Sequence, residues 1–368
     1  MEVKKKKIPS INVLNYLSKY LYKFNSNYKK NCNLHYEKIK QMKILLTGAT
    51  GFLGFRTLEK LIEIENVEKI VANGRNLKSG HIVTNKKIDY QLGELSDNDF
   101  VTRLVKNIDI IIHAAALSSP WGKYDEFYKS NIQSIENLIY AALENNVKRF
   151  IFISSPSIYF NLKDRLNIKE TDPLPDRFIN SYAETKHMAE KKLERSGLQY
   201  IILRPRAIIG RGDTVIMPRL IKAYDEKKLF ILGDGKNIVD LTSVANVVQA
   251  IILSINSEER SLNNSYNITN GKPVLLWEAI SQVLTALERK IPNQKINIKI
   301  LMFFAFLMEM KAKIFGGKEP VLTRYTVGTL GKSFTMDISK AQDLLDYKPS
   351  ITTEESIEEF VKWYKHNE

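Results

Sequence analysis

Residues 42–54 read Met-Lys-Ile-Leu-Leu-Thr-Gly-Ala-Thr-Gly-Phe-Leu-Gly, and this stretch decides the fold. Lys43–Thr47 is a short apolar run, Gly48–Gly54 is a turn, and Phe55–Ile64 carries apolar residues at helical spacing. Glycines at 48, 51 and 54 fall where a strand must turn sharply into a helix and where backbone must approach a pyrophosphate. The helix start then offers free N–H groups and the positive end of its dipole to an anion. A glycine-spaced loop that follows a strand and opens a helix reads as a dinucleotide site. Gly48, Thr50, Gly51, Phe52, Leu53 and Gly54 are the cofactor-binding residues expected of it.

Working outward, further apolar runs stand at Lys69–Ala72, Ile108–His113, Phe150–Ser154 and Tyr200–Leu203. Stretches of helical character separate them at Asp97–Lys106, Asp125–Asn145 and Ser181–Arg195. Apolar runs that alternate with helices are strands buried on both faces, hence a parallel sheet. After Pro205 the alternation loosens and Pro218, Gly233, Gly235, Pro273, Pro292 and Pro320 cut the chain into short pieces. The expectation is an α/β protein: a Rossmann-type doubly wound parallel sheet with a smaller mixed α/β substrate lobe. The dinucleotide-binding domain is expected over 42–206, completed by about 238–270, and the lobe over 207–237 and 271–368.

The 368 residues are 44% hydrophobic and 26% charged, which excludes a disordered or fibrous chain. A single Cys, Cys32, excludes a disulfide scaffold and a Cys-cluster metal site. No metal is expected, because the five histidines show no ligand spacing. No apolar run approaches the roughly 18 residues of a membrane span. The net charge of +14 is uneven: residues 1–41 hold ten Lys and two acids, and the rest of the chain carries only +6. The excess therefore marks a basic leader over 1–41, read as disordered or amphipathic, and gives no ground for a nucleic-acid partner.

The end of the second strand chooses between cofactors. An acid there binds the ribose hydroxyls of NAD, and a base accommodates the 2′-phosphate of NADP. The sequence is Val71-Ala-Asn-Gly-Arg75, with no acid. NADP(H) is favoured over NAD(H), with Arg75 as the phosphate-binding residue. Glu94 and Leu95 are expected to flank the adenine, and Ala114, Ala115 and Ala116 to let backbone lie against the cofactor.

Tyr182-Ala-Glu-Thr-Lys186 puts a phenol and an ammonium one helical turn apart. A free phenol has a pKa of about 10, and a nearby cation brings it toward the working range. Four of the seventeen tyrosines have Lys at i+4, so spacing alone decides nothing. Context does: only Tyr182 lies in a helix between two buried-type strands and follows a strand that ends in Ser154 and Ser155.

These residues carry a resemblance. The chain is similar to extended short-chain dehydrogenases/reductases from residue 42 to about 365, and more narrowly to their 3β-hydroxysteroid dehydrogenase-like branch. The narrower likeness rests on His113-Ala-Ala-Ala116, Tyr266–Trp277, Glu319–Tyr325 and Asp337–Ala341. The resemblance implies Tyr182 as general acid, with Lys186 lowering its pKa and binding the nicotinamide ribose. It implies Ser155 (Ser154 as the fallback) as a second donor to the substrate oxygen, and Asn131 as a water-linked support of Lys186. It also places Leu203-Arg204-Pro205 beside the nicotinamide, with Pro205 touching the cofactor.

The segment Ile300–Met308 is intensely apolar and followed by Lys311 and Lys313. It reads as a core helix, a pocket lining or a helix resting on a membrane surface. The expected activity is hydroxyl–ketone interconversion on a small apolar substrate, of the steroid, sterol or 2-alkyl-3-oxoalkanoate type. The alternatives are a nucleotide-sugar epimerase or dehydratase, and a silent cofactor sensor. Dehydratases of this kind carry an Asp-Glu pair that Ser155-Pro-Ser-Ile158 lacks. Sensors lose the Tyr/Lys pair, which is intact here. Remaining expectations are a cytoplasmic enzyme with peripheral membrane contact, and a homodimer.

Overall fold

The structure, a computed structural model, describes residues 41–78, 80–315 and 319–367. The leader expected over 1–41 lies outside the described residues, Gln41 apart. Seven strands form the main sheet: β1 (Met42–Thr47), β2 (Val67–Gly74), β3 (Ile88–Leu92), β4 (Ile110–His113), β5 (Arg149–Ile153), β6 (Tyr200–Pro205) and β7 (Asn264–Ile268). Their spatial order is β7-β6-β5-β4-β1-β2-β3, and every pairing is parallel. The chain leaves β1 toward β2 and returns past it to β4, so the strand order reverses between β1 and β4. That reversal opens a crevice at the carboxyl ends of the strands, where α/β sheets bind ligands.

Strand alternation sends Ile44 and Leu46 to one face of the sheet and Leu45 to the other. Helices α1 (Phe52–Leu61) and α5 (Val244–Asn256) cover the first face through Leu58, Leu61, Val247 and Ile251. Helices α2 (Asn98–Leu104), α3 (Ser134–Glu144) and α4 (Ser181–Glu194) cover the second through Val101, Leu138, Ala189 and Leu193. Both faces are apolar, which is why the strands read as continuous hydrophobic runs.

The short strands 274–275, 238–239, 334–336 and 165–168 make a second, four-stranded sheet. The chain is shared between the two sheets more finely than a cut at residue 206 implies. Residues 165–168 leave the first half to pair with Phe334–Met336. Ile338, Ala341, Leu345 and Tyr347, from the C-terminal third, return to the core of the main sheet.

Helix α6 (Ile298–Ile314) contains the apolar segment. A core position does not describe most of it: only Ala305 and Glu309 are buried, while Phe303 is 59% and Phe304 53% exposed. Among the described residues, no helix is long and apolar enough to cross a membrane.

Candidate active site

At the crevice, backbone packs on backbone. Gly48 has φ +71°, and a Cβ there would stand 2.7 Å from the Ala115 nitrogen. A Cβ on Gly54 would sit 2.0 Å from the Gly48 carbonyl oxygen, so any side chain at 54 is excluded. Between them Gly51 caps α1 with no side-chain hydrogen bond, and the first turn holds no acid. An uncapped helix start with unopposed N–H groups beside an open glycine loop fits the phosphates of a dinucleotide.

The loop is braced from β4. Thr47 Oγ1 accepts from the Ala115 N–H at 3.3 Å and lies 2.7 Å from His113 Nδ1. Burial and the charge on Lys186 lower the His113 pKa to about 3, so the ring is neutral. The contact between Thr47 and His113 is therefore a hydrogen bond between neutral groups. A second histidine, His81, stacks on Phe55 and donates to the Thr50 carbonyl oxygen, closing the other side of the loop.

Arg75 is exposed just past the end of β2. Its charge reaches Glu94, which is also exposed and ion-paired to Lys129 at 3.1 Å. Leu95 is buried, with its carbonyl held by Asn137 Nδ2 at 2.9 Å. Pro205 closes β6 opposite Ile268 of β7.

Tyr182 and Lys186 come from the first turns of α4, whose start Asn180 caps by accepting the Ala183 N–H. The hydroxyls of Ser118 and Ser155 face the Tyr182 phenol. Ser155 also accepts the Ser157 N–H and so caps the short turn Pro156–Tyr159, which fixes its direction. The neighbouring Ser154 Oγ is buried without a hydrogen-bond partner.

Burial raises the Tyr182 pKa, and the hydroxyls of Ser118 and Ser155 pull it the other way. The Lys186 ammonium instead donates to the Ile153 carbonyl at 2.6 Å and lies 3.9 Å from the centre of the Phe152 ring. Burial lowers its pKa to about 7, against the opposing charge of Glu190. Leu203-Arg204-Pro205 likewise divides: the Arg204 side chain turns from the crevice into a buried pair with Glu190.

Asn131 makes no direct contact with Lys186. Its Nδ2 donates to the Leu117 carbonyl and to Thr185 Oγ1, and its Oδ1 accepts the Leu117 N–H at 2.8 Å. It sits in a π-helical turn, Tyr128–Gln133, a local widening common at functional sites. It ties the Leu117–Ser118 loop to α4 next to Lys186. Arg206 had no place in the motif reading of the site, and Tyr325 entered it only as the last residue of the Glu319–Tyr325 stretch. Arg206 directly follows Pro205 and so stood one step past a recognised motif.

A strand–glycine loop–helix at the reversal of a parallel sheet, with Ser, Tyr and Lys at its rim, defines an extended short-chain dehydrogenase/reductase. Residues 44–269 match the NAD dependent epimerase/dehydratase family, and the chain belongs to it. A relative named 3beta-hydroxysteroid-dehydrogenase/decarboxylase isoform 1, from Arabidopsis thaliana, is 32% identical over 88% of this chain and 79% of its own. A 2-alkyl-3-oxoalkanoate reductase from Stenotrophomonas maltophilia is 27% identical over 86% of this chain and 97% of its own. Among solved structures, UDP-glucuronic acid 4-epimerase from Bacillus cereus in complex with NAD superposes with a TM-score of 0.70. That comparison spans 89% of this chain and 99% of the other at 22% identity, a likeness of fold.

Proposed function

We propose that the protein is an NAD(P)-dependent oxidoreductase that interconverts a secondary hydroxyl and a ketone on an apolar substrate of the sterol or 2-alkyl-3-oxoalkanoate type. The observation that carries this reading is the Tyr182 phenol faced by the hydroxyls of Ser118 and Ser155 at the carboxyl edge of the sheet. When bound, the nicotinamide supplies or accepts the hydride. The glycine loop and the start of α1 would hold the pyrophosphate.

For the ketone-to-alcohol direction the protein must deliver one proton to the carbonyl oxygen. Burial keeps the Tyr182 phenol protonated at neutral pH, the form a general acid needs. Ser118 and Ser155 would hold the same oxygen and share the charge that develops on it. Lys186, once its charge is met by a bound partner, would steady the tyrosinate left behind. Arg75, with no acid at the end of β2, supports NADP(H) as the preferred form.

Helix α6 supports a further part of the reading: its apolar side rests on an anionic lipid surface. Lys299, Lys311 and Lys313 are exposed on the same helix. Its one acid, Glu309, is turned inward onto Arg324.

The deciding experiment is an NADPH-consumption screen over 3-keto steroids and 2-alkyl-3-keto acids, with UDP-sugars followed in parallel by product chromatography because epimerisation and dehydration leave the cofactor unchanged overall. Turnover of the first or second class is expected. Action on UDP-sugars alone would transfer the protein to the epimerase/dehydratase alternative.

A further inference from the structure

The loop that follows β2 carries Arg75, and both its ends close on one residue of the glycine loop, Thr50. At the near end, a Cβ on Gly74 would stand 2.4 Å from Thr50 Oγ1, so the threonine side chain packs directly on the strand end. At the far end, His81 Nδ1 donates to the Thr50 carbonyl at 3.3 Å. Among the described residues of 75–82, only His81 hydrogen-bonds outside the loop. Its ring is 3% exposed and stacks on Phe55 of α1, with centroids 5.1 Å apart and planes 8° from parallel. On another side lies the loop into the lobe, where a Cβ on Gly212 would stand 3.6 Å from Nε2.

The bond matters for the peptide it holds. The Thr50 carbonyl and the Gly51 N–H belong to one peptide unit, and the Gly48 carbonyl accepts that N–H at 3.0 Å. The unit directly before α1 is therefore fixed at both ends, and the free N–H groups of the first turn keep one direction. Burial lowers the His81 pKa, so the ring is neutral at pH 7 and has a single N–H, given to Thr50. One imidazole thus joins the glycine loop, the first turns of α1 and the loop of Arg75.

We propose that His81 is a positioning residue for the cofactor: it closes the loop of Arg75 onto Thr50 and thereby sets the preference for a dinucleotide with a 2′-phosphate. The inference rests on the NADP(H) reading of Arg75 and adds the residue that makes this exposed arginine effective. An arginine on an untethered loop loses backbone and side-chain freedom when it meets a phosphate. A tether already made in the folded protein removes part of that cost. NADH has no group at this position, so its binding depends on the tether far less.

The test measures Kd for NADPH and NADH by fluorescence titration of the full-length enzyme as wild type, His81→Phe and His81→Asn. The phenyl ring keeps the stack on Phe55 and has no donor, whereas the Asn amide can place an N–H where that of Nδ1 stood. In His81→Phe the Kd for NADPH should rise about 5- to 10-fold, the worth of one hydrogen bond and the loop order it holds, and that for NADH about twofold or less. KM for NADPH should rise with kcat nearly unchanged, the mark of lost binding and not of lost chemistry. His81→Asn should stay within about threefold of wild type. An unchanged Kd for NADPH in His81→Phe, equal weakening of both cofactors, or equal losses in the two variants overturns the inference and leaves the reading of Arg75 standing. A wild type that binds NADH as tightly as NADPH overturns both. Wild-type hydrogen exchange guards against a variant that fails to fold: NADP⁺ should slow the amides of residues 80–85 together with those of 48–54, and NAD⁺ only the latter. No slowing of 80–85 by NADP⁺ sinks the role of His81.

Discussion

Arg204 holds Glu190 in a buried two-point clasp, Nε to Oε1 at 2.9 Å and Nη2 to Oε2 at 2.6 Å. Tyr159 hydroxyl takes a further bond from the same guanidinium. Burial works against the charge on Arg204, and the carboxylate more than offsets it, raising its pKa. Glu190 lies one turn of α4 beyond Lys186, as Lys186 lies one turn beyond Tyr182. The clasp therefore pins β6 to the helix that presents the catalytic pair. Removing one partner of such a pair strands a buried charge and costs about 3–5 kcal/mol. Glu190→Ala should lower stability by that amount in urea denaturation, and a loss below about 1 kcal/mol would contradict the clasp as a stabilising contact.

The buried Lys186 gives a dependence of stability on pH in the cofactor-free enzyme. Its pKa in the folded chain is about 7, lowered by burial, while an unfolded lysine titrates near 10.4. Between these values the unfolded chain binds the extra proton, so stability rises with pH across that window. From pH 7 to pH 9, wild-type stability should gain on that of Lys186→Met by roughly 1–2 kcal/mol. Urea titrations of both proteins at the two pH values measure the difference. A gain in the opposite direction would mean that the ammonium is stabilised, not penalised, where it sits.

Tyr182→Phe removes the phenol that Ser118 and Ser155 flank. Turnover should fall by about 10²–10⁴-fold, the usual worth of a positioned acid. Cofactor affinity, measured by fluorescence titration, should stay nearly unchanged because the glycine loop is untouched. Retained turnover would remove Tyr182 from the chemistry.

Arg75→Asp reverses the charge at the exposed end of β2. It should shift the ratio of kcat/KM for NADPH over NADH by about 10- to 100-fold toward NADH. An unchanged ratio would strip Arg75 of any part in phosphate binding.

The main sheet was legible because its strands are buried on both faces and so announce themselves as apolar runs. The edge strand β3 was not. Asp89 and Gln91 alternate there with Ile88 and Tyr90, and the strand is half exposed. The glycine loop was legible down to the residue, since Gly48 and Gly54 are forced by backbone contact. The direction of a side chain was not: Arg204 belongs to a strand-end motif, yet strand alternation aims it at α4. Charge environments were equally hidden. The spacing of Tyr182 and Lys186 shows that they share a helix face, but the carbonyl that captures the ammonium comes from β5, over thirty residues upstream.

Helix α6 is the case where an apolar run marked surface and not core. Of its large side chains Ile300, Phe303, Phe304, Phe306, Leu307, Met310 and Ile314 are all exposed, a patch that soluble proteins seldom leave uncovered. Inserting two phenylalanines into an interface contributes on the order of 3 kcal/mol or more, and each lysine near an anionic surface adds about 1 kcal/mol. The protein should therefore sediment with vesicles containing phosphatidylglycerol and bind those of pure phosphatidylcholine more weakly. Phe303→Asp with Phe304→Asp should cut binding at least about tenfold, because both burial and charge then oppose insertion. Wild-type protein that ignores both vesicles but sediments as a dimer, and loses that dimer in the double variant, would assign the patch to a second copy of the chain.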